Sequence, residues 1–342
     1  MKNLILLPLI ILILFPISVL AQENMEKINL SKMSLSEKVG QLVILKPAGL
    51  DKKYLDELHI GGIFLGKRKT KEEYKRTISF YQNNSKIKLF VAADMEGYWN
   101  PFANFYKSKS FGEINSYDEA YALGKEHGEI LKELEFNLDF SPVVETKNKV
   151  WPGRSFEGSK QQIKEKISGY IKGLHEEEIL STAKHYPGGS MVKNPHWFKY
   201  KTQVSHQDLE YFDHAISKGV DAMMIGHPIV YGAIDSKGKQ STVSPEVIGN
   251  LRRNFSGIII TDAVTMWGLR WSYLFNSNKL YSDLIIAGND IILDSYPYPN
   301  YKSIKNKMKG IEKAVRKGKI SEERIDESVK RILETKGYEV IF

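Results

Sequence analysis

Short, strongly apolar runs alternate with longer polar stretches of helical spacing along most of this chain. GQLVILKP (40–47), GGIFLG (61–66), KLFVAADM (88–95) and FNLDFSPVVE (136–145) predict four strands. STAKHYP (181–187), DAMMIGHPIV (221–230), GIIITD (257–262) and DIILDS (290–295) predict four more. Apolar positions recurring every three or four residues predict helices over 116–135, 160–178, 205–219 and 321–337. Near-continuous apolar strands belong in a parallel sheet covered by helices. Eight strand–helix units predict an α/β protein, a single-domain (β/α)8 TIM barrel spanning 22–342. Ser321 is placed to cap the last helix, but Arg324 occupies the position where a capping box needs an acid or amide. An open doubly wound sheet is the alternative; its phosphate-binding G-x-G-x-x-G is missing from the first strand–helix junction.

The first segment breaks this pattern. Residues 1–21 hold Lys2, an uncharged and mostly apolar stretch, and Val19-Leu20-Ala21 as a cleavage site, which is the layout of a signal peptide. The same apolar length approaches that of a membrane anchor, but Pro8, Pro16 and the cleavage site favour removal. Either way the body is expected outside the cytoplasm, periplasmic or secreted, with no stable membrane span once the signal is cut. The chain has no cysteine, which removes disulfides, thiolate metal sites and a cysteine nucleophile. Its net charge is +8, or +7 without Lys2, the one charged residue of 1–21. The basic residues are scattered over helix faces, so the surplus suits an anionic surface such as a cell-wall polymer and not a nucleic acid.

Chemistry is expected where barrel strands end. Strand three runs into Asp94 and Glu96, strand five into Lys184 and His185, strand six into His227 and strand seven into Asp262, while Arg154 sits in the loop after strand four. Each alone has a plain structural use: an aspartate as helix cap, a lysine at the rim, His227 as a satisfied buried histidine. Together they offer a carboxylate nucleophile, Asp262, a loop histidine with near-neutral pKa, His196, and donors for hydroxyl-rich ligands. Retaining glycoside hydrolysis needs a nucleophilic carboxylate with a separate proton donor. Metal-ligand spacing and a G-x-S-x-G elbow are both missing, and no cofactor is expected.

These residues resemble something specific. AKHYPGG is similar to the A-K-H-F-P-G-H-G stretch of family 3 glycoside hydrolases, in particular single-domain β-N-acetylhexosaminidases of the peptidoglycan-recycling type. SLSEKVGQLV, ADMEG, FSPVVE, GRSF, the run SPEVIGNLRRNFSGIIITDAVTM and KISEERIDESVKRIL resemble further family segments in the same order. The resemblance implies Asp262 as nucleophile, His196 as loop-borne acid/base, and Asp94, Arg154, Lys184 and His185 as sugar-binding positions. It implies an amino-sugar glycan or peptidoglycan fragment as substrate. The departures are Asn194 for the aspartate that charges the histidine, Gly189 for a second histidine, and Met95 and Tyr98 within the D-Q-E-G-G segment. A family arginine is replaced near Phe102. Asparagine can orient an imidazole but cannot stabilise its cation as a carboxylate does, so weaker proton delivery is expected. Tyr98, Trp99, Phe102 and Trp197 either line the mouth for sugar stacking or simply pack their loops. The alternative to catalysis is a carbohydrate-binding protein on the same scaffold, and phosphorolysis stays open beside hydrolysis.

Overall fold

The computed structural model describes residues 25–97, 99–146, 148–274, 276–295 and 300–342. The expected signal, 1–21, and Tyr98 lie outside these residues. All eight expected strand segments carry a strand: β1 (Val43–Leu45), β2 (Gly62–Phe64), β3 (Phe90–Ala93), β4 (Leu138–Asp139), β5 (Thr182–Tyr186), β6 (Ala222–Ile225), β7 (Ile258–Thr261) and β8 (Ile292–Asp294). Every pairing among them is parallel. They divide into two ladders, β8-β1-β2-β3-β4 and β7-β6-β5. Isolated parallel bridges, Leu138 to Leu180 and Ile260 to Ile291, lie across the two gaps between the ladders. Because the strands run in one direction, their C-terminal ends share one edge.

The strands are buried almost throughout, which is why they read as unbroken apolar runs rather than alternating ones. Helices cover them. Tyr117–Glu133, Lys160–Glu176, His206–Ser217 and Glu322–Thr335 fall on the four segments of helical spacing. Ser321 accepts from Arg324 N at 3.1 Å and caps the last helix without a box, whereas Ser159 with Gln162 forms a full box. The helices Tyr117–Glu133 and Lys160–Glu176 meet backbone to backbone. A Cβ on Gly173 would lie 2.3 Å from the carbonyl oxygen of Tyr121, so only glycine permits that approach.

Some expectations are corrected. The segment 221–230 is not one strand: β6 stops at Ile225, and Ile229–Gly232 turns away to pair with Lys201–Val204 beside the sheet. His227 and Pro228 occupy the break. Residues 40 and 41 belong to the helix Leu35–Gln41 rather than to β1, because Ser34 and Glu37 box its start. Phe102 does not line any mouth. It is fully buried against Tyr74, Phe105 and Phe136, with ring centroids 5.1 to 5.9 Å away.

Candidate active site

The strand edge gathers an ion cluster. Lys184, midway along β5, is 1% exposed, and its ammonium contacts Asp94 and, at 2.6 Å, Glu96 Oε1. Arg154 reaches the same Glu96 as a two-pronged fork, Nε to Oε2 at 2.5 Å and Nη2 to Oε1 at 2.5 Å. Burial alone pushes Glu96 up, but the charges of Arg154 and Lys184 outweigh it and hold the carboxyl well below its ordinary range. Asp94 is pushed upward by burial and by Glu96 against the pull of Lys184. Lys184 itself is raised: burial opposes its charge, and Asp94 and Glu96 more than restore it.

A break in the β5 register between Lys184 and Tyr186 lets two consecutive residues, Lys184 and His185, serve this end of the sheet. His185 Nε2 lies 3.7 Å from Asp262 Oδ2, and its Nδ1 lies 3.3 Å from Glu145 Oε1. Glu145 is also 3.7 Å from Arg154 Nη1, so it joins the cluster from the end of the β4 segment. Asp262 follows β7 and is 7% exposed. The Ala263 N–H donates to its Oδ1 at 2.7 Å, leaving Oδ2 on the His185 side. Burial opposes its ionisation, but His185, His227 and the Ala263 N–H prevail, so the carboxyl sits below its ordinary value. An ionised carboxylate at a sheltered site is what nucleophilic attack on an electrophilic carbon requires.

His227 is held on both sides. Nδ1 lies 3.0 Å from Thr242 Oγ1 and Nε2 lies 3.0 Å from the Ala263 carbonyl oxygen, so it fixes the segment after Asp262. Burial lowers its pKa, and Asp262 only partly offsets this. Its role is therefore structural support.

His196 lies on an exposed loop docked by its backbone. Trp267 N donates to the His196 carbonyl and Gly268 N to the Pro195 carbonyl, each at 3.0 Å. The imidazole stands edge-on to Trp151, with centroids 6.0 Å apart, and the Arg154 guanidinium lies 4.8 Å from the same indole. Desolvation by the surrounding chain lowers the His196 pKa, opposed by Asp262. Asn194 does not orient the ring as expected. Its Oδ1 accepts the His196 backbone N–H at 2.9 Å, shaping the turn instead.

All six expected site residues thus stand around one end of the sheet. Glu145 was missed although it ends its segment as Asp94 and Asp262 end theirs, and the same positional rule applied to FSPVVE would have found it. Trp151 carried no signal, being one tryptophan in an irregular loop. Tyr200, buried, has its phenol pushed up by burial and by the charges of Glu145 and Asp262, which places it beside them. Beneath the cluster, Asp139 accepts from Met95 N at 3.0 Å and from Tyr170 Oη at 3.1 Å. Burial pushes Asp139 up to about 8 despite the Met95 N–H and Lys184. Among the described residues no group of three or more His, Asp or Glu side chains is arranged to hold a metal ion.

The chain resembles known proteins over most of its length. Residues 34–335 match the model of the glycosyl hydrolase family 3 N terminal domain. A beta-N-acetylglucosaminidase/beta-glucosidase of Cellulomonas fimi is 24% identical over 337 aligned positions, covering 90% of this chain and 58% of that protein. A beta-hexosaminidase of Haemophilus influenzae is 25% identical over 279 positions, covering 74% of this chain and 78% of that one. The solved structure of a glycoside hydrolase family 3 beta-N-acetylglucosaminidase from Paenibacillus sp. str. FPU-7 superposes with a TM-score of 0.82 at 26% identity, covering 89% of this chain and 62% of that chain. The chain therefore spans less than two thirds of the Cellulomonas and Paenibacillus proteins.

Proposed function

Because the chain belongs to glycoside hydrolase family 3, we propose that it is a retaining β-glycosidase that releases β-linked N-acetylamino sugars from amino-sugar glycans, peptidoglycan fragments included. The two ladders are taken to act as one (β/α)8 barrel, a reading that the isolated bridges across their gaps support, over a single domain exported by the segment 1–21. Asp262 Oδ2 attacks the anomeric carbon as the glycosidic C–O bond breaks, and His196 gives its proton to the departing oxygen. His196, now neutral, takes a proton from water, whose oxygen displaces Asp262 and regenerates the carboxylate. Asp94, Lys184, Arg154 and His185 hold the sugar hydroxyls and acetamido group.

The observation that carries this reading is the Asp262 carboxylate, buried yet kept ionised beside His185 at the strand edge shared with the Lys184–Glu96–Arg154 cluster. The test is Asp262→Asn, expected to lower turnover of an aryl N-acetyl-β-glucosaminide at least about 10³-fold with an unchanged fold. A mechanism-based fluorosugar is expected to label Asp262. Full activity of the variant would refute the assignment.

One observation favours a second reading, a carbohydrate-binding protein with weak catalysis: Asn194 spends its side-chain oxygen on the backbone and offers His196 no carboxylate. Activated aryl glycosides need little acid assistance. Hydrolysis of neither these nor a natural disaccharide, with measurable sugar binding, decides for that reading. A sugar 1-phosphate formed in phosphate buffer would decide for phosphorolysis over hydrolysis.

A further inference from the structure

The loop that carries His196 stands between two open hollows. One, of about 580 Å³, is bounded by Lys199, Lys239, Gln240, Trp271, Leu274 and Lys279. The other, of about 420 Å³, is bounded by Val192, Lys193, Lys199, Tyr200, Lys201 and Ile229. Lys199 lines both, and neither is lined by Asp262, Lys184 or Arg154. Both are therefore distinct from the ion cluster.

Their chemistry is one-sided. Among the described residues Asp283 is the only acid lining either hollow, and Lys279 and the Tyr273 hydroxyl already engage it. Lys193, Lys199, Lys201 and Lys239 form no ion pair among the described residues; Lys199 reaches only Ser272 Oγ, at 3.4 Å. Four lysines outside any ion pair, only Lys239 sensing a nearby acid in Glu246, concentrate anions. Exposed apolar faces adjoin them: Trp271 is 55% exposed, and Trp197 and Phe198 at the loop crest are each 57% exposed. Flat aromatic faces beside cations suit a sugar chain bearing negative charge, since sugar rings offer apolar faces that stack.

We propose that the two hollows and the crest between them form one groove for a β-linked glycan carrying carboxylates. Its distal sugars stack on Trp271 and its carboxylates pair with Lys193, Lys199, Lys201 and Lys239, while its terminal sugar reaches the strand edge that carries Asp262. The last clause rests on the glycosidase reading; the groove itself does not. Occupancy also bears on the acid/base, because Trp271 Nε1 donates to the Trp197 carbonyl at 3.3 Å, next to His196. A ligand on Trp271 presses the His196 loop onto its dock.

The test titrates the Asp262→Asn protein with three probes: hyaluronan octasaccharide, uncharged chitohexaose and poly-L-glutamate, read by calorimetry at low and high salt. The octasaccharide is expected to bind at least about tenfold tighter than chitohexaose at low salt, with the advantage fading as salt rises. Lys193→Ala with Lys239→Ala is expected to weaken it about tenfold, and Trp271→Ala similarly. Trp271→Phe keeps a ring but loses the N–H to Trp197, so it retains most of the affinity. Poly-L-glutamate binding as tightly as the octasaccharide, or lysine variants of unchanged melting temperature binding as the parent does, overturns the groove. Octasaccharide binding, together with a parent protein of unaltered sequence that cleaves no aryl glycoside, keeps the groove and overturns the glycosidase reading instead.

Discussion

Glu96→Gln isolates the part of the site that is most exposed to a wrong charge balance. Glu96 is 3% exposed and takes three short contacts from two cations, two from Arg154 at 2.5 Å and one from Lys184 at 2.6 Å. Glutamine keeps the shape and removes the charge. Breaking a buried ion pair costs about 3–5 kcal/mol, because the abandoned charge stays buried. Here Asp94 still faces Lys184 and Glu145 still stands 3.7 Å from Arg154, which places the expected loss at the lower end, about 3 kcal/mol. At 2–4 °C per kcal/mol for a domain somewhat smaller than this one, that is roughly 6–12 °C in Tm. The pH dependence gives a second readout. The folded Glu96 carboxyl lies below its ordinary 4.5, so its stabilisation is fully present above that value and is lost as pH falls through the lowered one. Urea unfolding followed by circular dichroism at pH 7 and near pH 3 measures both. The gap between parent and variant is expected to be full at pH 7 and to shrink in acid. Glu96→Gln with Arg154→Met is expected to cost less than the two single changes summed, by at least about 1 kcal/mol. A loss under about 1 kcal/mol at pH 7, a gap independent of pH, or strict additivity would refute the reasoning.

Asp139→Asn removes a carboxyl that is raised to about 8 in the fold against an ordinary 3.8. The folded state binds the extra proton between those values, so stability falls as pH rises through that window, and the variant is expected to flatten that slope in urea midpoints taken at pH 5 and pH 8. His196→Ala is expected to lower kcat/KM about 10²-fold on a natural disaccharide and only a few-fold on an aryl glycoside with a good leaving group. Asn194→Asp keeps the oxygen that accepts the His196 backbone N–H and adds a negative charge near a depressed imidazole, so the basic limb of the kcat–pH profile is expected to move upward. Gly268→Ala would bring a Cβ to 2.6 Å from the Pro195 carbonyl oxygen and 2.8 Å from that of Phe198. It is expected to displace the His196 loop and cost about 10²-fold in kcat at an unchanged melting temperature.

The eight strands were legible because both faces of a covered parallel sheet demand apolar residues, so each strand is a short unbroken run. Where a run continued past the sheet, length misled. The segment 221–230 stays apolar across the break after Ile225, since Ile229 and Val230 are still buried although their strand pairs with Lys201–Val204 rather than with the sheet. The separation into ladders of five and three left no mark, because register depends on partners distant in sequence. At the site, the strand-end rule gathered Asp94, Glu96, Lys184, His185, His227 and Asp262, with Arg154 in the loop after strand four and His196 as a loop histidine, and the family resemblance assigned roles to six of these. What it could not convey is who neutralises whom. Glu145 looks like any other acid, and Glu96 like one more strand-end carboxylate, until folding sets Arg154 between them. Asn194 reads as a weakened partner for an imidazole, yet a short polar side chain two residues before a backbone N–H is equally a turn-former, and that use prevails.

The dock beneath His196 is made of peptide groups. Trp267 and Gly268, five and six residues beyond Asp262, grip the carbonyls of His196 and Pro195, so one short stretch of chain sets the spacing between the nucleophile and the proton donor proposed above. No side chain of the crest takes part in those two bonds. Lineages built on this scaffold are consequently free to rewrite Val192, Lys193, Trp197 and Phe198 and so trade one polymer for another, while the chemistry below keeps its calibration.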